Sequence, residues 1–114
     1  MYDAAKDGRE SEVSSLLRNH PEINVNWTNE YQWTPLHAAS LYGHAEIVKL
    51  LLAHRSINVN SKSSDGQTPF LFAFLYGRVS VVRVLLKDPR VDVTLEENRG
   101  ELHCGGHLTM ESLK

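Results

Sequence analysis

Apolar and polar positions in this chain follow two rhythms, and the rhythms trade places at a fixed interval. Ile47, Val48, Leu51 and Leu52 are spaced i, i+1, i+4, i+5, which puts four apolar side chains on one stripe of a helix. The set returns as Val81, Val82, Leu85 and Leu86, a shift from 47 to 81, or 34 residues. One interval earlier, 35 residues before Ile47, the same places hold Glu12, Val13, Leu16 and Leu17. After each stripe comes a period of two: Ile23-Asn24-Val25-Asn26, Ile57-Asn58-Val59-Asn60 and Val91-Asp92-Val93-Thr94. Alternation of β-branched and short polar residues predicts an extended segment with one buried face.

Between these blocks lies a second helical signal. Thr34-Pro35-Leu36-His37-Ala38-Ala39-Ser40-Leu41-Tyr42-Gly43-His44 reappears, altered, as Thr68-Pro69-Phe70-Leu71-Phe72-Ala73-Phe74-Leu75-Tyr76-Gly77-Arg78. Thr is a good cap, and Pro in the first helical position sacrifices no internal hydrogen bond. The pattern predicts inner helices from Pro35 to Gly43 and from Pro69 to Gly77, since Gly suits a helix C-terminus. Outer helices are predicted over 45–54 and 79–87, Pro89 stopping the second, and a first pair over 2–7 and 10–19, ended by Pro21. Asp65-Gly66 and Asn98-Arg99-Gly100 supply turn chemistry. Tyr31-Gln32 holds the equivalent spot in the first hairpin, which predicts a wider or differently shaped turn.

Self-similarity at this period marks a stacked-repeat architecture. With its Thr-Pro-Leu-His-x-Ala segment at residues 34–39, the unit resembles the ankyrin repeat, closely in the second copy and more loosely on either side. The resemblance implies an all-α solenoid of stacked helix-turn-helix units with projecting β-hairpin loops. It divides an ankyrin-repeat domain at 1–100 into repeats at about 1–33, 34–67 and 68–100, followed by a degenerate stub or tail at 101–114. Glu12 and Ser14-Ser15 make the first outer helix more polar than its successors, as a terminal repeat requires. At the other end Gly106-His107 resembles Gly43-His44, and Met110 falls where Ile47 does, but about five residues of inner helix are missing. The fourth unit therefore reads as truncated, as in a fragment or variant of a longer array. Leu102, Leu108, Met110 and Leu113 are the apolar residues left to cover the third repeat, with a short helix expected within 108–113.

Composition narrows the function further. The 114 residues are one domain's worth of sequence, and no apolar run approaches the roughly 18 residues that span a bilayer. Met1-Tyr2-Asp3 reads as neither a signal nor a transit peptide, and Cys104 stands alone. Together these predict an intracellular protein, cytoplasmic or nuclear, in which the Asn26-Trp27-Thr28 acceptor pattern is coincidental. A net charge of −2 with interspersed signs lacks the basic stripe that nucleic acid binding needs.

Six histidines raise the question of metal. The resemblance gives His37 a structural role, its ring bonding to nearby loop backbone, and His44 is expected to touch a neighbouring turn. His20 and His54 sit at outer-helix ends, where a partial positive charge complements the dipole. His103, Cys104 and His107 could donate to zinc, but no second ligand pair with the usual spacing accompanies them. Cys104 beside His103 lacks the third group that a catalytic pair requires, and no phosphate-cradling glycine motif is present. The reading is therefore of a protein with no enzymatic activity, no cofactor and no metal.

What the resemblance does imply is a protein-binding surface on the hairpin tips and the concave side of the inner helices. The positions are Glu30, Tyr31 and Trp33 with Leu41 and Tyr42, then Ser64, Asp65 and Gln67 with Leu75 and Tyr76, and finally Asn98, Arg99 and Glu101. Lys6 and Asp7 form the first helix edge. Trp and Tyr here are either partner anchors or packing for adjacent turns. Phe72 and Phe74, which replace Ala38 and Ser40, are expected to pack away from the second repeat, onto the tail or a further repeat. The expected activity is binding of a partner protein by a monomer, without nucleic acid or membrane. The alternative is a structural spacer, a piece of a longer array that makes no specific contact of its own.

Overall fold

Two layers of short helices, stacked in register, make up the computed structural model, which describes residues 1–93. Helices α1 (Tyr2–Asp7), α3 (Pro35–Leu41) and α5 (Pro69–Leu75) form the inner layer; α2 (Glu10–Asn19), α4 (Ala45–Leu52) and α6 (Val79–Leu86) form the outer one. Each inner helix packs on the next inner helix and on its own outer partner, and each outer helix on the next. That nearest-neighbour plan is a solenoid. No strand occurs among the described residues; the hairpin loops are single closed turns. The expected tip at Asn98, Arg99 and Glu101, the tail helix and the His103-Cys104-His107 group lie outside the described residues.

Local chemistry explains where the helices begin. Thr34 Oγ1 accepts the His37 N–H and Thr68 Oγ1 accepts the Leu71 N–H, both at 3.2 Å. Pro follows each Thr at the first helical position. The inner helices end at Leu41 and Leu75, two residues short of Gly43 and Gly77. The outer stripe buries as the spacing predicts: Ile47, Val48 and Leu51 with Val81, Val82 and Leu85, joined by Val13, Leu36 and Phe70. Leu52 and Leu86, last on the stripe, are only half-buried. Glu12 is exposed, in keeping with a polar first repeat. Ser40 Oγ is buried with no hydrogen-bond partner among the described residues, a destabilising group worth about 1–3 kcal/mol.

The linkers correct the sequence reading. Val25, Ile57, Val59 and Val91 are buried as expected, but the backbone turns instead of extending. Asn24 Oδ1 accepts the Asn26 N–H and Asn58 Oδ1 accepts the Asn60 N–H, closing side-chain turns that compete with extended structure. The second Asn of each pair then reaches the next repeat. Asn26 donates to Ser56 O (2.8 Å) and accepts from Asn58 N–H (2.8 Å). Asn60 donates to Arg90 O (2.9 Å) and accepts from Asp92 N–H (2.6 Å). The amide side chain offers its donor and its acceptor on two separate atoms, as this fork uses them.

The first hairpin turn also differs from expectation. It has the same shape as the second: Asn29 N–H bonds to Trp33 O at 3.0 Å, as Ser63 N–H does to Gln67 O at 2.9 Å. Gln32 adopts a φ of 64°, matching the 80° of Gly66. A side chain in that left-handed region is strained by about 1–2 kcal/mol. Gln32→Gly is therefore expected to stabilise the protein by about 0.5–1 kcal/mol, after the extra chain entropy of Gly is subtracted. Leu51→Ala, in the middle repeat, is expected to destabilise it by about 2–5 kcal/mol through the cavity left behind. Urea midpoints of the two variants against the parent protein check both signs.

Candidate protein-binding surface

The hairpin tips are built from polar side chains that gather backbone N–H groups. Asn29 Oδ1 accepts from the N–H of Tyr31 and of Trp33, both at 2.9 Å. One repeat on, Ser63 Oγ accepts from Asp65 and Gln67 at 3.3 and 3.1 Å. The two tips are then tied together, because the Ser64 N–H and hydroxyl both donate to Tyr31 O, at 3.0 and 3.2 Å. Glu30, Tyr31, Ser64 and Asp65 are exposed on these tips, while Trp33 and Gln67 are half-buried.

Below the tips sits His37, fully buried. Its Nε2 lies 2.7 Å from Gln67 O, and a carbonyl can only accept, so Nε2 carries the proton. Nδ1 is then left to accept, 3.1 Å from Thr34 N and 3.0 Å from Thr34 Oγ1. The structural role expected for this ring is what the geometry shows: it ties α3 to the hairpin that leads into α5. Burial, working against bonds to Gln67 and Ser61 backbone, pushes its pKa down from 6.5 to about 4. His44 contacts a neighbouring turn as expected, with Nε2 donating to Lys6 O at 2.9 Å. His54 Nδ1 instead accepts from Ser56 N–H at 3.1 Å and so closes a linker turn.

Aromatic rings run from tip to helix. Tyr31 and Trp33 have centroids 5.8 Å apart, Trp33 meets Phe72 edge-on at 5.1 Å, and Phe72 meets Tyr76 edge-on at 6.4 Å. Phe72 also packs against His37 at 5.1 Å. Phe72 thus faces back onto the second repeat, contrary to the expectation that it would pack away from it. A buried ring at a place where the previous unit has Ala fills the space beneath Trp33. Phe74 is half-buried and stacks on Phe70 at 6.4 Å.

The inner-helix positions divide. Tyr42 and Tyr76 are exposed, as are Lys6 and Asp7 at the first helix edge. Tyr42 is outside the ring chain and lies near Tyr2, whose phenol pKa is raised by burial and then by Tyr42. Leu41 is only 9% exposed, against 38% for its counterpart Leu75, so Leu41 serves packing and does not contribute to the surface. The difference follows from the stack, because α5 covers α3. The Asn26 amide bridges two repeats through one donated and one accepted bond. Among the described residues no cluster of His, Cys, Asp and Glu could hold a metal ion, and no helix is long and apolar enough to cross a membrane.

Two residues that organise the surface escaped the sequence reading, Asn29 and Ser63, and a third, Phe72, was read with the opposite direction. The first two are 34 positions apart and each precede a tip by two residues, a periodic signal that was available. Phe72 gave no signal of direction, because a substitution from small to large does not say which neighbour makes room. Among known families, a model described as ankyrin repeats (3 copies) matches residues 1–97. No curated protein matches the chain.

The buried ring has a consequence for stability. With the folded pKa near 4 and the ordinary value 6.5, the unfolded chain takes up this proton first as pH falls. His37 therefore contributes its full stabilisation above pH 6.5 and loses it towards pH 4, by up to about 3 kcal/mol. In an NMR titration the His37 ring signals are expected to stay those of a neutral imidazole from pH 7.5 down to about 5.5. A midpoint near the ordinary value would contradict the burial of the ring.

Proposed function

The chain belongs to the ankyrin-repeat family, and from that premise we propose that it binds a partner protein through its hairpin tips and inner-helix face. Ankyrin repeats are generally protein–protein interaction modules and typically non-enzymatic. The observation that carries the reading is the line of rings Tyr31–Trp33–Phe72–Tyr76. Its exposed members are held from beneath by a buried Phe and from the side by the Ser64–Tyr31 bonds. Aromatic groups already fixed in place bury large area on binding while losing little side-chain freedom. Glu30, Ser64, Asp65 and Gln67 form the polar rim around them, with Tyr42 and Leu75 at its edges. Such a plan, apolar centre and polar surround, is that of an energetic hot spot.

The proposed domain keeps repeats at about 1–33, 34–67 and 68–100, and its proposed setting is inside the cell, as a monomer. Asn98 and Arg99 belong to the proposed surface as the next tip along.

Captured partners provide the test. Tyr42→Ala and Tyr76→Ala are each expected to weaken binding by at least about 1–2 kcal/mol, with the helical circular dichroism unchanged. Lys49→Ala and Arg83→Ala, at exposed sites on the outer helices, are expected to leave it unaltered. The opposite pattern would move the site to the outer layer. A protein that captures nothing under any condition would be a spacer.

A further inference from the structure

The polar rim of the tips carries a charge that the protein leaves unmatched. Glu30 directly precedes Tyr31 on the first tip, and Asp65 directly follows Ser64 on the second. The Ser64 N–H and hydroxyl both meet Tyr31 O, at 3.0 and 3.2 Å, so each acid stands one residue from the bonds that join the tips. Both acids are exposed, and neither makes an ion pair or a side-chain hydrogen bond among the described residues. In the outer layer, by contrast, Glu12 meets Arg9 at 3.0 Å, Glu46 meets Lys49 at 3.1 Å and Asp88 meets Arg90 at 2.6 Å. Glu10 there is exposed and has no such cation.

The residue at the junction also carries an open ring. Tyr31 is 54% exposed, and its ring is tilted by 47° from that of Trp33, with 5.8 Å between centroids. An exposed π face attracts a cation. The cost of covering this place selects what covers it. An apolar group laid over Tyr31 would strip water from the adjoining unpaired acids, and an acidic group would add like-charge repulsion. A cation gains from the ring and from the carboxylates together. Lys62, the one basic residue within 28–33 and 61–67, is exposed and pairs with neither acid, so the two tips keep an excess of negative charge.

Resting on the reading of the tips as the binding surface, we propose that the partner presents arginine there: a basic segment whose guanidinium lies on the Tyr31 ring and donates to the carboxylates of Glu30 and Asp65. Arginine suits this place better than lysine. Its guanidinium is planar, stacks on aromatic faces and carries forked donors that match carboxylates, whereas an ammonium is a compact, strongly hydrated point charge. The bonds at Tyr31 O set the two tips relative to each other, so the acceptors wait in place and little freedom is lost when the partner arrives.

Blocked triarginine, trilysine and triglutamate peptides, titrated into the isotope-labelled full chain and followed by NMR, provide the test. Triarginine is expected to shift the amides of Tyr31, Ser64 and Asp65 and the Trp33 indole saturably, and to bind at least about threefold more tightly than trilysine. Triglutamate is expected to shift none of them. Glu30→Gln and Asp65→Asn are each expected to weaken triarginine at least about threefold, whereas Glu10→Gln, the same loss of charge on the outer layer, is expected to leave it unchanged. Weakening by Glu10→Gln as large as by the tip variants would mean attraction to overall charge and overturns the proposal. So does a lack of shifts at the tips, or trilysine binding as tightly as triarginine. A chain indifferent to triarginine that still captures a partner through Tyr76 loses the arginine assignment and keeps the proposed surface.

Discussion

A solenoid has no distant contacts to fall back on, so everything that holds it together must pass between adjacent repeats. In this protein the decisive constraint is the satisfaction of backbone groups by side chains that reach along the stack from a neighbouring element. His37 holds Gln67 O, Asn26 holds Ser56 and Asn58, Asn60 holds Arg90 and Asp92, His44 holds Lys6 O, and Arg78 holds Leu41 O. The carbonyls and N–H groups they meet lie in loops and at helix ends, where the regular ladder of backbone bonds gives out. The net value of such a bond is about 1 kcal/mol, but an orphaned buried partner costs about 1–3 kcal/mol, so they work mainly by excluding other arrangements.

Apolar burial supplies the force and these polar ties supply the register. Ile47, Val48 and Leu51 would bury equally well against several rotations of a neighbouring helix, since hydrophobic attraction has no direction. An asparagine fork or a histidine with a fixed tautomer tolerates one. The same ties shape the candidate surface: the Gln67 carbonyl that His37 grips closes the second hairpin through Ser63 N–H, and Ser64 of that hairpin fixes Tyr31 in the first. Stability and recognition therefore rest on shared groups.

Much of this was legible in the sequence. Six helices were readable from two apolar periods, two Thr-Pro caps and the stops around them, and the resemblance carried by residues 34–39 named the fold. What was hidden has physical reasons. Alternating Ile-Asn-Val-Asn fits a strand by pattern, but asparagine side chains bond their own backbone and bend the linker into turns. Gln32 gave no warning of a positive φ, because the tip's hydrogen bonds override its preference. Leu41 and Leu75 occupy the same place in the repeat and differ only in what covers them, which no repeat pattern records. The candidate site was visible as a set of positions, whereas the ring chain through Phe72 required knowing which way that ring turned.

The central claim is that the tips are rigid because neighbouring repeats hold them, and native-state amide hydrogen exchange tests it most directly. If the ties operate in solution, the N–H groups of Trp33, Ser64 and Gln67 exchange roughly a hundredfold or more slowly than in an unstructured chain, and they open together with α3. Exchange of those amides at unprotected rates, with α3 still protected, would contradict the account.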